Sequence, residues 1–386
     1  MSKNEIYFSR GLFLAPQYKK LVPVLLFVGF ALRLILVFSP TNFDFDSYKI
    51  TANLIVGGIP PWQSQRYNYG ISWSLVLGCF YLVSSGNDFI FRFAIIAFLS
   101  FADFAIYLIL RRWFGYKPAL IFFLNPISII ITGHYNQFDN LAIAVALIAI
   151  DFLVKFKELT RIKYLILCIC FLTLSLTVKH TLVLFLLWFM FSNFSFRIKS
   201  ALILVPYALF LLHFVPFMIR SQFDRDSILS AVFKYWSANN APFWKFWFWD
   251  KEYAESLGDH TAWHHGRIWM ILMFISVFTI GYILSYKPLQ YQIPAFSIAI
   301  LIFSSAITSQ FLAIATLGAA VYFNTGFLLF FILGALYLCL DPAGLSISWL
   351  QPLLEHRGWN AWNISPSILL FAVCVQIFKS RNSHIS

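Results

Sequence analysis

Residues 21–38 read LVPVLLFVGFALRLILVF, an apolar stretch in which Arg33 is the only charged residue. A helix needs about 20 residues of this kind to cross the hydrocarbon layer of a bilayer. The stretch is longer than the apolar region of a signal peptide and has no small-residue cleavage site, so we predict a retained first membrane span. Apolar blocks of roughly 15–22 residues recur along the chain, close to the length of a membrane-spanning helix.

Composition extends this interpretation to the whole chain. Hydrophobic residues make up 60% of the 386 residues and charged residues only 11%. A soluble domain of this length needs more polar surface, and a membrane β-barrel would show short alternating segments in place of long apolar blocks. The sequence therefore predicts an all-α integral membrane protein that crosses the bilayer many times.

The net charge of +12 is distributed as in a membrane protein. Lys and Arg gather in short segments between apolar blocks, which is the pattern of cytoplasmic loops. No segment is basic enough to bind a nucleic-acid backbone, so we exclude nucleic acid as a partner. We place both termini in the cytoplasm and let residues 71–83 dip into the outer interface. The cytoplasmic segments then contain most of the basic residues, and the only acidic residues in them are Glu5 and Glu158.

The sequence predicts about twelve membrane spans. They are residues 21–39, 89–110, 117–132, 140–154, 163–178, 181–193, 200–218, 268–285, 289–305, 311–323, 325–340 and 366–378.

This topology places the polar segments on the non-cytoplasmic face, where we therefore expect any chemistry. The first outer segment, residues 40–70, contains Asp44 and Asp46 directly after a span. Carboxylates that the membrane and neighbouring segments desolvate can act as general bases or bind a divalent cation. The alternative is an acidic loop that is only solvated.

Three further outer segments carry candidate site residues. Polar side chains in residues 132–140 lie between two apolar blocks, which is costly unless they line a wet cavity; the alternative is that they cap helix ends. Lys179 and His180 lie between two spans, where a cation can snorkel or bind a lipid phosphate. The long outer loop 219–266 adds basic residues and many tryptophans, which stack on sugars or anchor proteins at membrane interfaces.

The sequence DFDSY at residues 44–48, followed by GGIPPW at 57–62 and RYNY at 66–69, resembles the first outer loop of GT-C fold glycosyltransferases. The second and third parts are most similar to the first mannosyltransferase of GPI-anchor synthesis. GHYNQF at 133–138 resembles a Gly-His-Phe-Gln-Tyr-Asn segment of the ER glucosyltransferases that use dolichyl-phosphate-glucose, and Lys179-His180 resembles their Lys-His or Lys-Gln pair. SQFL at 309–312 is similar to a Gln-Tyr-Leu segment of many bacterial members.

The resemblance implies one GT-C-type transmembrane domain whose first outer loop contains short interfacial helices. Residues 1–218 would form the catalytic module, 219–266 an outer loop and 267–386 variable C-terminal helices. The implied reaction is the inverting transfer of mannose or glucose from a polyprenyl-phosphate-linked sugar donor to a hydroxyl of a glycolipid or glycan acceptor. In this reading Asp44 is the catalytic base, and Asp46 orients the acceptor or shares that role.

The same resemblance assigns the remaining candidates. His134, Asn136, Gln137 and Asp139 would line the sugar pocket, and Gln310 would lie at the donor site. A phosphodiester leaving group needs cations as its charge develops. The candidates for that role are Lys179, His180, Arg220 and Arg225.

Enzymes that use lipid monophosphate sugars generally work without a metal, so we predict no cofactor. An alternative follows the oligosaccharyltransferase catalytic subunit, in which acidic residues of the first loops hold a metal; Asp44 or Asp46 with Asp139 would imitate that site. The membrane is predicted to be a bacterial plasma membrane, with an ER membrane as the alternative.

The rival function is a transporter or flippase of a lipid-linked sugar. Arg33 and Asp103 lie inside apolar blocks, and buried ionisable residues often mark a transport path. Transporters tend to contain internal repeats and helices broken at mid-membrane. We find no repeat, and the polar clusters lie at one face, so the sequence favours an enzyme.

Overall fold

The computed structural model describes residues 20–233, 258–304, 309–340, 344–347 and 369–373. These residues are helical for most of their length and contain no β-strand. This confirms the predicted all-α class.

The N-terminal half is a series of helices joined by short connections. A 3-10 turn, Leu36–Phe38, extends the first helix, a second one spans Pro61–Ser64, and a π-helical turn spans Ile131–Tyr135. The α-helices are α1 (Val22–Ile35), α2 (Phe43–Val56), α3 (Ile71–Ser84), α4 (Asp88–Phe114), α5 (Tyr116–Leu124), α6 (Pro126–Ile130), α7 (Asp139–Leu159) and α8 (Ile162–Val178).

After α8 the chain forms a 12-residue 3-10 helix, His180–Phe191. A π-helical turn, Leu229–Phe233, and a 3-10 turn, Ser309–Phe311, follow later. The α-helices of this half are α9 (Phe196–Leu212), α10 (Val215–Met218), α11 (Gln222–Ile228), α12 (Gly258–Leu284), α13 (Leu289–Phe303), α14 (Leu312–Val321) and α15 (Thr325–Leu340).

Two helical segments of the described chain are long and apolar enough to cross a membrane alone, Asp88–Phe114 and Phe196–Met218. Two bent pairs meet the same test together: Val22–Phe38 with Phe43–Val56, bent by 82°, and Tyr116–Leu124 with Pro126–Tyr135, bent by 46°. Length and composition therefore identify two to four spans, which supports a membrane protein. The remaining apolar helices, of 10–17 residues, lie mostly where the sequence predicted further spans but fall short of this criterion.

The 82° bend between Val22–Phe38 and Phe43–Val56 sets the direction of α2. The backbone at Ser39 is extended, and the next helix begins after Asn42, whose side-chain oxygen accepts a hydrogen bond from the Phe45 backbone N–H at 3.0 Å. Such an N-cap satisfies one of the free N–H groups of the first helical turn. Helix α2 therefore leaves the direction of α1; the topology predicted from the sequence places it outside the membrane spans.

Helices α7 and α8 form the hairpin that positions the site. Small residues of α7, among them Ala142 and Ala146, are fully buried, which lets the neighbouring backbones approach closely. Ser175 of α8 donates a hydrogen bond to the Ala142 carbonyl at 2.8 Å. Because the two helices are joined by a short turn at the other end, the start of α7 lies beside the residues that follow α8.

A buried ion pair connects α1 and α4 and is hydrogen-bonded to α5, α6, α7 and the π-helical turn. Arg33 Nε lies 2.8 Å from Asp103 Oδ2, and both side chains are fully buried. Asp103 also accepts hydrogen bonds from Ser128, Thr132 and Asn140 at 3.3, 2.8 and 2.7 Å. The guanidinium donates further to the backbone carbonyls of α1 and α5 and to the Ser128 hydroxyl. Both charges are therefore closely surrounded by partners, as expected for a structural pair.

Gly70, the residue before α3, lies very close to the backbone of Thr177 in α8. A Cβ atom on Gly70 would lie 2.3 Å from the Thr177 carbonyl oxygen, which belongs to the backbone and cannot rotate away. We expect Gly70→Ala to lower the free energy of unfolding by about 1–3 kcal/mol, the usual cost of overpacking. Thermal unfolding of the detergent-solubilised protein measures this. The control is Gly57→Ala, whose Cβ would have its nearest neighbour at 3.4 Å; equal melting temperatures for the two variants would contradict the prediction.

Candidate active site

The candidate site lies where the first turn of α2, the start of α7 and the segment after α8 meet. Gln137 Nε2 donates a hydrogen bond to Asp44 Oδ2 at 2.7 Å. Lys179 Nζ lies 3.4 Å from Gln137 Oε1 and 2.7 Å from Asp139 Oδ2. Four predicted site residues, from three separate segments of sequence, are therefore connected by hydrogen bonds. We call Asp44, Gln137, Asp139 and Lys179 the acid–lysine cluster.

The ion pair of this cluster is almost completely buried. The Lys179 side chain is 4% exposed and that of Asp139 is 0% exposed. The ammonium nitrogen lies 5.0 Å from the ring centroid of Tyr69, 4.9 Å from that of Phe138 and 5.7 Å from that of Phe311. Aromatic faces attract cations, and burial strengthens the electrostatic attraction between the two charges.

Asp44 is the partly exposed member of the cluster. Burial raises the pKa of Asp44, whereas the positive charge of Lys179 and the hydrogen bond from Gln137 lower it, and the neighbouring charge of Asp139 raises it. The net direction is upward, which makes the carboxylate more basic than an ordinary aspartate. In the described part of the chain Oδ1 of Asp44 has no hydrogen-bond partner, so this oxygen can accept a proton from a substrate.

Asp46 lies apart from Asp44. Residues two apart in an α-helix point to different sides, and Asp46 is exposed. Among the described residues its carboxylate makes no hydrogen bond or ion pair. The structure therefore does not bring the two predicted catalytic carboxylates together, and only Asp44 belongs to the acid–lysine cluster.

His134 and Asn136 are buried beside the cluster, where they support the local backbone. His134 Nδ1 lies 2.8 Å from the Ser39 hydroxyl, and the His134 carbonyl accepts from Asn42 Nδ2 at 3.2 Å. Asn136 has a φ of 58°, a left-handed conformation that asparagine tolerates. Its amide donates to the carbonyls of Thr132 and Gly133 at 3.4 and 3.2 Å. For Asn136 the arrangement matches the alternative in which the polar residues cap a helix end.

His180 and Gln310 lie at the edge of the site. The His180 ring is 6.0 Å from the Tyr69 ring, and its Nδ1 is buried without a hydrogen-bond partner among the described residues. Gln310 is half-buried and directly precedes Phe311, whose ring contacts Lys179. The segment that resembles a bacterial Gln-Tyr-Leu sequence therefore reaches the cluster.

Arg220 and Arg225 lie apart from the cluster, at the surface of the protein. Arg220 donates to the Gly58 carbonyl at 3.1 Å, and Arg225 lies 3.8 Å from Asp226. Helix α11 packs on residues 61–65 through a hydrogen bond from Gln63 Nε2 to Asp224 Oδ1 at 2.7 Å. Both arginines are exposed, and neither contacts the acid–lysine cluster. Residues 234–257, which include much of the predicted tryptophan-rich loop, lie outside the described residues.

Arg92 is a buried residue that the sequence analysis did not single out. Its guanidinium donates to the carbonyls of Val37 and His134 at 3.2 and 3.3 Å, to the Ser39 carbonyl, and to the Ser39 hydroxyl at 3.0 Å. It therefore joins the end of α1 to the segment that carries Gln137. The signal in the sequence was an arginine inside the apolar block 89–110, because an ionisable residue there requires partners.

The described residues contain no group of three or more His, Cys, Asp or Glu side chains that could hold a metal ion. Asp139, which the metal alternative requires, pairs with Lys179. The ammonium group of Lys179 therefore lies beside the Asp139 carboxylate, which a metal ion would need as a ligand.

Comparisons with known proteins give no assignment for this chain. A scan against protein-family models and a search of curated proteins find no match.

Proposed function

We propose that this protein is an inverting glycosyltransferase. It moves a hexose, mannose or glucose, from a polyprenyl-phosphate carrier to a hydroxyl of a glycolipid or glycan on the non-cytoplasmic side of the membrane. The observation that carries this proposal is the acid–lysine cluster. Three of its residues, Asp44, Gln137 and Lys179, come from segments whose sequences resemble lipid-linked-sugar glycosyltransferases, and Asp139 directly follows one of these segments. The cluster includes a partly exposed carboxylate, that of Asp44.

In the proposed reaction Asp44 is the general base. Its Oδ1 takes the proton of the acceptor hydroxyl while Oδ2 keeps the hydrogen bond from Gln137. The hydroxyl oxygen forms a bond to the anomeric carbon as the bond from that carbon to the phosphate oxygen breaks, which inverts the configuration. The electron pair stays with the polyprenyl phosphate, which leaves as an anion and needs no strong general acid. A positioned base of this kind contributes a rate factor of about 10²–10⁴.

The other predicted residues support this reaction from different positions. The exposed Arg220 and Arg225 and the neighbouring His180 are our candidates for contact with the leaving phosphate. His134, Asn136 and Gln310 shape the pocket around the hexose. We expect no metal requirement, because the base needs only proximity to the acceptor and the leaving group is already ionised.

We further propose that the chain crosses the membrane about twelve times with both termini in the cytoplasm, in a GT-C-type arrangement. The membrane is a bacterial plasma membrane in this proposal, with an ER membrane as the alternative. Helices below the usual length can contribute to such an arrangement. A 3-10 helix rises about 2.0 Å per residue, so the 12 residues of His180–Phe191 extend about 24 Å.

The proposal is tested with purified protein, synthetic polyprenyl-phosphate mannose and glucose, and membrane lipids as acceptors, in the presence of EDTA. We expect one donor to be consumed and its hexose to be transferred with inverted anomeric configuration, which NMR of the product measures. A product with retained configuration would contradict the single-displacement mechanism. If neither donor is consumed, the glycosyltransferase assignment fails, and transport of the lipid-linked sugar becomes the function to test.

A further inference from the structure

We propose that Lys179 and Asp139 are positioning residues for Asp44, acting through Gln137, and that neither contacts the donor. This inference rests on the proposed function for the role of Asp44, but it concerns how the site holds that carboxylate. It changes the role expected for Lys179 from a ligand of the donor phosphate to an internal counter-ion.

The orientation of the Gln137 side chain is fixed from both ends. A carboxylate accepts hydrogen bonds and an ammonium group donates them. The side-chain amide of glutamine donates through Nε2 and accepts through Oε1. Gln137 Nε2 faces Asp44 at 2.7 Å and Oε1 faces Lys179 at 3.4 Å. With Lys179 in place, only one orientation of the amide satisfies both neighbours, and that orientation aims an N–H group at the base.

Lys179 is itself committed inside the protein. Its ammonium lies 2.7 Å from Asp139 Oδ2, and the other oxygen of Asp139 accepts from the Thr181 hydroxyl at 3.3 Å. Three aromatic rings surround the ammonium. Moving Lys179 to a phosphate would leave Asp139 as an unpaired charge in a fully buried position, which is strongly unfavourable.

Arg220 is our candidate for the positive charge that this reassignment removes from the donor site. Arg220 is exposed and donates to a backbone carbonyl, so its charge is not neutralised by an acid among the described residues. It can reach an anionic group without leaving a buried carboxylate unpaired. The leaving phosphate is therefore expected to depend on Arg220 and not on Lys179.

The charges around Asp44 give this inference a distinctive signature. Lys179 favours the ionised form of Asp44, and Asp139 disfavours it. Removal of each charge should therefore move the pKa of Asp44 in opposite directions. The titratable groups near Asp44 are Lys179 after α8, Asp139 at the start of α7 and Tyr48 on α2. The Tyr69 ring lies 5.0 Å from the Lys179 ammonium and 6.0 Å from the His180 ring. Tyrosines are neutral at neutral pH, so they do not change the sign of either shift.

The test compares pH profiles of kcat/KM for donor consumption by the full-length protein. A base must be ionised, so activity falls below its pKa. Lys179→Met should move the acid limb of the profile to higher pH by about one pH unit or more, because an opposite charge nearby lowers a carboxyl pKa by that amount. Asp139→Asn should move it to lower pH. The double variant, which restores the charge balance, should have an acid limb close to that of the wild type.

Lys49→Met is the matched control. Lys49 lies on the same helix as Asp44 and forms an exposed ion pair with Asp88 at 2.7 Å, so its loss removes a lysine charge outside the cluster. This variant should leave the acid limb in place. If Lys179→Met raises the KM for the donor at pH values above the acid limb, Lys179 contacts the donor and the inference is wrong; an unmoved acid limb would contradict it as well. If Lys179→Met fails to fold in detergent, the acid limbs of Asp139→Asn and of the double variant are compared with that of the wild type.

A second readout does not depend on activity. The carboxylic-acid C=O infrared band of protonated Asp44 is identified by its loss in Asp44→Asn and is followed against pH in reconstituted protein. Its midpoint should rise in Lys179→Met and fall in Asp139→Asn. If the midpoints shift in opposite directions but no hexose is transferred, the proposed function is wrong and the inference stands. If hexose is transferred but the midpoints do not move, the inference is wrong and the proposed function stands.

Discussion

Asp44→Asn is expected to lower kcat for hexose transfer by about 10²- to 10⁴-fold, the contribution of a positioned general base. Asparagine has nearly the same shape, and its side-chain oxygen can still accept the hydrogen bond from Gln137. The variant should therefore fold normally and bind the donor, while it loses the ability to take a proton. Initial rates at saturating donor and acceptor measure the effect.

The control for this prediction is Asp46→Asn, the same change two residues later. Asp46 is exposed and contacts no cluster residue, so its replacement should change kcat by less than the loss of a base does. An equal loss in both variants would indicate that the two carboxylates share the role. Full activity of Asp44→Asn would exclude Asp44 as the base.

Removal of either partner of the Arg33–Asp103 pair is expected to lower the free energy of unfolding by about 3–5 kcal/mol. The reason is that the remaining charge would be buried without its counter-ion, since both side chains are fully buried. Arg33→Met and Asp103→Asn are the two single variants. Thermal or denaturant unfolding in detergent measures the change.

The double variant Arg33→Met, Asp103→Asn should be less destabilised than the sum of the two single variants, because it leaves no unpaired charge. The exposed pair Lys49–Asp88 gives the control, and Lys49→Met should cost no more than about 1 kcal/mol. Unfolding of Arg33→Met or Asp103→Asn at the wild-type temperature would contradict a structural role. Such a result would favour the alternative interpretation of the sequence, in which Arg33 and Asp103 mark a transport path.

The sequence predicted which segments contribute to the site but not how they join. Asp44, Gln137, Asp139 and Lys179 were all identified from short polar segments between apolar blocks. The hydrogen bond from Gln137 to Asp44 joins residues 93 positions apart, and periodicity contains no information on such a contact. Pairing of Lys179 with Asp139 depends on the α7–α8 hairpin, so the lysine was assigned to the donor phosphate when no partner was visible.

Other differences have local physical causes. Asp44 and Asp46 are close in sequence, and an irregular loop would have allowed them to act together; the helix that begins at Phe43 separates them because residues two apart point to different sides. The predicted spans were continuous apolar blocks, whereas the chain bends by 46° between Tyr116–Leu124 and Pro126–Tyr135, where Pro126 begins a new helix. Proline disfavours helical backbone in the preceding residue, and Asn125 is extended accordingly.

Hexose transfer and lipid translocation, measured together in one proteoliposome sample, test the central claim most directly. The donor is a polyprenyl-phosphate hexose labelled in the sugar, supplied with membrane-lipid acceptor, and the wild type is compared with Asp44→Asn. We expect the label to move from the donor to the acceptor with the wild type and to stay on the donor with Asp44→Asn. Protein-dependent movement of intact donor between leaflets, without transfer of its sugar, would contradict the glycosyltransferase proposal and support a transporter.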